Sequence, residues 1–371
     1  MACPLKPTRS FCTLGDFSSK LLYWTLENTS GNVCISPFGV TIALTMAMAG
    51  AGEKTTAQVV SVLSALDDNA LYSSCEAVSS LLNSAEADTK VYLGSKIFLS
   101  NSIRLNSDFN QTMAEMFSNQ VGILDFRQYP LDALLEINDW AKKETDGKLC
   151  ELVKRGDMDE KSRLILASVI YFCGRWSEGF TRTERGLFRV TEKDTVHVEM
   201  MESCRQANYY HSTSPGFQAL ELPYICRELN LLILLPDQGM KLENLAACIS
   251  RERLGKLIGN LVPTAGVKIS LPKLRLHKSY QLAGALRSMG MERLFDPDLA
   301  DMSKMSDSAG LCVDKVLHEA IFELSEDGRP PVTATTQHEG PVFRVDRPFL
   351  FVLLQHCHHA VVFIGAVRKP S

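Results

Sequence analysis

Apolar residues return every three or four positions between Phe11 and Leu26, where Phe17, Leu21 and Trp24 line one side of an amphipathic helix that Gly31 closes. The same period predicts helices over Ser107 to Asn119 and over Pro130 to Lys143. The second has Leu131, Leu134, Leu135 and Trp140 as its apolar face and Gly147 as its stop. After a short strand, Val33 to Ile35, the chain from Pro37 to Gly50 is apolar nearly all round, so its helix is central. Ser36 suits the cap of that helix and Pro37 its first position. Gly50 and Gly52 end it, and another helix starts at Thr55 or Thr56 and runs through Leu66. Lys90 to Ser100 alternates as a strand does, and Gln120 to Phe126 is extended. Ser162 to Phe172 is too apolar for a sheet edge and reads as a central strand. Beyond it come strands at Val196 to Met201, Ala219 to Tyr224, Leu229 to Leu235 and Val267 to Leu271, with helices near Lys241 to Ile258 and Ser279 to Met289. No repeat or linker divides the chain.

The stretch from Val313 to Pro348 breaks this regularity. It opens as an alternating strand, with Val316, His318, Ala320 and Phe322 on one face, and leads into a continuous apolar run at Phe349 typical of a buried strand. Gly328, Pro330, Pro331, the run Thr333 to Thr336 and Gly340 cannot build a packed core. Roughly 20 residues should therefore stand exposed between two fixed strands, and a loop of that length is usually functional.

Composition narrows the function classes. A net charge of -4 and a pI near 6.1 argue against nucleic acid or a membrane surface as the main partner. The longest apolar stretch, Val40 to Ala51, is too short to span a bilayer. The segment MACPLKPTRSFCTLGDF lacks the apolar run of a signal peptide. Eleven scattered cysteines with no CxxC pair fit reduced thiols and a cytoplasmic setting. The sequons at Asn28 and Asn110 matter only for the alternative, export without a cleaved signal peptide. No G-x-S-x-G or H-E-x-x-H motif offers catalytic chemistry, so the chain does not read as an enzyme. GAGEKTT at Gly50 to Thr56 has the wrong order for a phosphate loop and reads as a turn between helices. In His356-Cys357-His358-His359 alternate side chains of a strand would diverge, so a strand end or turn is favoured over a metal site. No metal or cofactor is implied.

The segment AIFELSEDG, Ala320 to Gly328, followed by FRVDRPFLF at Phe343, resembles the hinge and distal anchor of a serpin reactive-centre loop. Six stretches, the last of them extending that anchor, are similar, in order and spacing, to serpin signature segments: NVCISPFGVTIALTMAMAGAGEKTTAQVVSVL, INDWAKKETDGKLCELV, RLILASVIYFCGRW, ALELPYICRELNLLILLPD, SLPKLRLHKSYQLAGALRSMGMERLF and FRVDRPFLFVLLQHCHHAVVFIGAV. The resemblance implies a metastable α+β fold with one large sheet, two smaller ones and about nine helices. It also implies one domain over residues 1–371, a loop at about 328–345, a leaderless intracellular monomer, and a serine (or cysteine) protease as partner.

The resemblance assigns roles residue by residue. Glu326, Asp327, Gly328, Arg329, Pro330 and Pro331 form the loop hinge. Gln337, His338, Glu339, Gly340, Pro341 and Val342 hold the scissile region: counting forward from Gly328 places the bond after Val342, whereas counting back from Pro348 places it after Gln337, a loop about five residues short. Ser36, Ser168 and His318 correspond to the polar shutter beneath the large sheet and Trp176 to the breach at its top. Ser36 and His318 are equally readable as two satisfied buried polar groups. Gly39 and Ser168 replace the usual Ser and Asn, thinning the shutter.

In the family mechanism the protease cuts the loop, and the freed segment inserts as a central strand before the acyl-enzyme hydrolyses. Inhibitory serpins carry small residues after the hinge glycine; here stand Arg329, Pro330 and Pro331. On insertion Arg329, Pro331, Thr333 and Thr335 would face the interior, and each proline removes a ladder donor. Two functions follow: a serine-type protease inhibitor whose trap is impaired, or a non-inhibitory serpin that binds or chaperones.

Overall fold

The computed structural model describes residues 14–83, 89–157, 161–226, 228–247, 249, 251–330, 340–355 and 360–370. Within them lie helices α1 (Leu14–Glu27), α2 (Pro37–Ala49), α3 (Glu53–Val62), α4 (Asp68–Asn83), α5 (Ser107–Phe117), α6 (Pro130–Glu144), α7 (Leu242–Ala247), α8 (Arg251–Asn260) and α9 (Ala283–Ser288). The strands are β1 (Val33–Ile35), β2 (Thr89–Ser100), β3 (Val121–Leu124), β4 (Leu164–Gly174), β5 (Arg182–Arg189), β6 (Thr195–Ser212) and β7 (Phe217–Pro223). They continue with β8 (Leu229–Pro236), β9 (Val262–Pro272), β10 (Leu274–Gln281), β11 (Lys315–Leu324), β12 (Val342–Arg344), β13 (Phe349–Gln355) and β14 (Ala360–Val367). No helix among the described residues is long and apolar enough to cross a membrane.

Five strands, in the order β10-β11-β4-β2-β3, make the sheet that the loop leaves from. The rest form a nine-stranded array, β1-β14-β13-β8-β7-β6-β9-β12 with β5 on β6. Long β6 joins its two parts: it pairs β5 through its first half, β9 from Met200 to Tyr209 and β7 from Asn208 to its end.

The central position of β4 follows from burial on both faces. Leu164, Leu166, Ile170 and Phe172 enter the main core, whereas Ile165, Ala167, Val169 and Tyr171 pack under α6 with Leu317 and Ile321 of β11. A strand covered on both sides reads as a continuous apolar run. Helix α2 is buried along nearly its whole length, with Pro37 in its first turn and Ser36 Oγ accepting from Gly39 N.

Several expectations are corrected. The buried face of α6 is Ala133, Ile137, Trp140 and Ala141, while Leu131 and Leu135 are 46% and 52% exposed. Both sets recur at helical spacing, and only tertiary packing chooses between them. Helix α3 stops at Val62 because Ser64 takes a left-handed φ of 55°, leaving Leu66 exposed. The helix expected from Lys241 to Ile258 is broken, its first part closing where Ile249 N turns back onto Ala246 O at 3.0 Å. Ser279 to Gln281 are strand, because cross-strand pairing with β11 overrides their helical spacing.

Candidate functional site

His318 lies midway along β11, opposite Ser168 of β4 and Tyr280 of β10. It is fully buried, and its two ring nitrogens reach different elements. Ser36 N donates to Nε2 at 2.9 Å, and Nδ1 lies 3.3 Å from Ser168 Oγ. A backbone N–H can only donate, so Nε2 is the acceptor and the neutral ring carries its proton on Nδ1, directed at Ser168. Burial pulls the imidazole pKa down to about 3, so His318 is neutral near pH 7. Ser36 Oγ donates in turn to Val362 O at 2.6 Å. The buried triad of Ser36, Ser168 and His318 thus fastens the N-terminus of α2 to both β4 and β11. Gly39 belongs to the same design: a Cβ there would meet Ser168 Oγ at 2.7 Å, so a larger residue at 39 needs a different partner at 168.

At the upper end of the same two strands the hinge is held by backbone. Trp176 N donates to Asp327 O at 2.8 Å, Arg329 N to Trp176 O at 3.2 Å and Gly179 N to Arg329 O at 2.8 Å. Phe180 N donates to Glu326 O at 3.2 Å. Trp176 also donates Nε1 to Ser325 O at 2.7 Å, with its buried ring stacked 4.4 Å from Tyr224 and edge-on to Phe180. Glu326 pairs with Lys273 at 2.7 Å, and Glu199 stands 3.7 Å beyond that ammonium. The hydrogen bond from Lys273 holds the Glu326 carboxyl below the usual range and raises the Lys273 pKa in return. Arg329 and Pro330 point to solvent.

The distal end of the loop returns along β9. Gly340 fits against Ala265 and Gly266, where a Cβ would meet backbone at 2.4 Å, and Lys268 N donates to Pro341 O at 2.9 Å. Val342 opens β12 beside Lys268, and Phe343 is fully buried. Pro331, Gln337, His338 and Glu339 lie outside the described residues, as does the His356 to His359 tract.

The sequence matches the family described as Serpin (serine protease inhibitor) over residues 13–370. The chain is a serpin. Horse leukocyte elastase inhibitor is 31% identical over 93% of this chain and 94% of its own length, and human Serpin B9 is 28% identical over 96% and 98%. Uncleaved ovalbumin superposes with a TM-score of 0.91 at 24% identity, covering 98% of this chain and 100% of that one. That likeness bears on the fold, as does one to maspin at 0.90, which covers 97% of this chain and 98% of its own at 23% identity.

The structure of this serpin brings Ser36, Ser168 and His318 into contact, and separately gathers Trp176 with Glu326, Asp327, Gly328 and Arg329. Sequence reasoning missed Lys273, Gly179 and Arg205, which sit at the hinge from other strands and loops. The Gly328 and Gly179 backbones meet face to face: a Cβ on Gly328 would lie 2.5 Å from Gly179 N and 2.9 Å from Trp176 O. Backbone cannot swing aside as a flexible side chain can. Gly328→Ala is therefore expected to cost about 1–3 kcal/mol, read as a lower midpoint in urea unfolding. An unchanged midpoint would show that the hinge docks loosely.

Proposed function

We propose that this serpin is a bait for a serine-type endopeptidase, or a cysteine protease, which takes the loop at about 328–345 as its substrate strand. The observation that carries this reading is the direct parallel pairing of β4 with β11, with the hinge glycine just beyond their upper ends. A segment that turned back at Gly328 and entered between them would run antiparallel to both neighbours, exchanging one parallel ladder for two antiparallel ones. Shutter and hinge contacts oppose that entry until the loop is cut. The protein is taken as one unit over residues 1–371, acting as a cytoplasmic monomer. Its exposed thiols at Cys150 and Cys204 suit a reducing compartment.

Trapping is weakened by the hinge. Successive residues of a strand address opposite neighbours, so Pro330 would deprive one flanking strand of a donor and Pro331 the other. Each orphaned buried acceptor costs about 1–3 kcal/mol. The same chemistry supports the second reading, a serpin that binds without trapping.

The name of the horse relative, leukocyte elastase inhibitor, makes an elastase-type protease the first target to test. We infer a scissile bond before Gly340, a reading supported by the engagement of Pro341 and Val342 on β9 and the burial of Phe343. Mass spectrometry of the elastase digest is expected to find the cut between Gln337 and Gly340. A cut at Val342–Phe343 would contradict this placement.

A further inference from the structure

Arg205 lies on β6 where the ladder to β9 is irregular, between the pairs Arg205 with Val267 and Ala207 with Thr264. The extra residue stands on β9, where Ala265 and Gly266 oppose Gln206 alone, and beside it the Arg205 side chain runs under the segment facing the hinge. It is 8% exposed, its guanidinium lies 5.0 Å from the Phe180 ring centroid, and burial pulls its pKa down to about 10. Nη1 donates to the Glu178 carbonyl and, at 3.5 Å, to the Gly179 carbonyl.

Those two carbonyls are the far ends of the peptide units that hold the hinge. Glu178 C=O and Gly179 N–H belong to one planar trans peptide, Gly179 C=O and Phe180 N–H to the next, and in each the two groups point in opposite directions. Arg205 grips one edge of both planes; Arg329 O and Glu326 O accept from the other edge. A cation on a carbonyl fixes the plane and polarises the amide into a stronger donor. We propose that Arg205 is the positioning residue of the loop hinge, setting through these two peptides how firmly Glu326 to Arg329 are held against the sheet. The functional consequence rests on the bait reading; the positioning itself does not.

Amide hydrogen exchange tests the positioning without any protease. In Arg205→Met the Gly179 and Phe180 amides are expected to exchange about tenfold faster, with β8 amides unchanged. Arg205→Lys keeps the cation, loses the planar fork, and should fall between; it carries the test if the Met variant does not fold. Equal acceleration throughout the molecule, or none at Gly179 and Phe180, would overturn the proposal. An elastase digest of both variants separates the two readings. If the local exchange rises but elastase and papain leave the loop of every form intact, the positioning stands and the bait reading fails.

Discussion

Replacing Arg329, Pro330 and Pro331 together with Thr, Glu and Ala is expected to raise the melting temperature of the loop-cleaved protein well above that of the cleaved wild type. The uncut proteins should differ little. In the uncut state Arg329 and Pro330 are exposed, so neither the guanidinium nor the missing Pro330 donor is felt. Entry between β4 and β11 changes that. The first inward-facing position would bury a charge, and the two prolines would leave an acceptor unmet on each side, about 1–3 kcal/mol apiece. A combined penalty near 3 kcal/mol in the insertion barrier slows that step about a hundredfold relative to deacylation. The substitution removes the penalty but leaves the loop short, so trapping should rise less than thermal stability. Differential scanning calorimetry of cut and uncut forms checks this. Equal gains on cleavage in both proteins would mean that the prolines do not obstruct the strand.

The second large effect concerns His318. His318→Ala takes the acceptor from Ser36 N and the donor from Ser168 and leaves a void where the ring stood. Unfolding should become easier by about 3 kcal/mol or more, combining an orphaned donor with a cavity. The pH dependence is more specific. With its folded pKa near 3 and an unfolded value near 6.5, His318 takes up a proton on unfolding anywhere between those limits. Its contribution is fully present above about pH 6.5. It is lost at about 1.4 kcal/mol per pH unit as pH falls, down to the folded value. His318→Gln offers Ser36 a carbonyl oxygen and cannot titrate. Wild type should thus be the more stable at pH 7.5, and its lead should shrink by about 2 kcal/mol at pH 5. The other titrating groups are common to both proteins, so the difference isolates residue 318. A lead independent of pH would show that the ring is not held neutral by burial.

What the sequence disclosed depended on how local the signal was. The capped apolar helix at Pro37, the buried strand at Leu164 and the alternation around His318 are carried by neighbouring residues and were legible. Helix α4 was missed because Asp68 to Asn83 is rich in serine and polar residues, and only packing turns Leu71, Cys75 and Val78 inward. Strand β6 was cut short at Met201, since Glu202 to Ser212 mixes polar, small and aromatic residues and owes its extension to β7 and β9. The hinge was recognised by resemblance, whereas its supports were not. Lys273 and Gly179 meet it across long stretches of chain, 53 residues for the Lys273–Glu326 bond, Arg205 reaches it only through the 178–180 segment, and no short pattern marks them.

We propose that this serpin presents a cleavable loop whose first residues hinder insertion. The most direct test is a denaturing gel of the unmodified protein mixed with leukocyte elastase, followed by heating of the cut product. The prediction is a shortened band with little SDS-stable adduct, and a cleaved form that melts close to the uncut one. A stoichiometric adduct together with a heat-resistant cleaved form would instead show that this chain is an efficient trap despite Pro330 and Pro331.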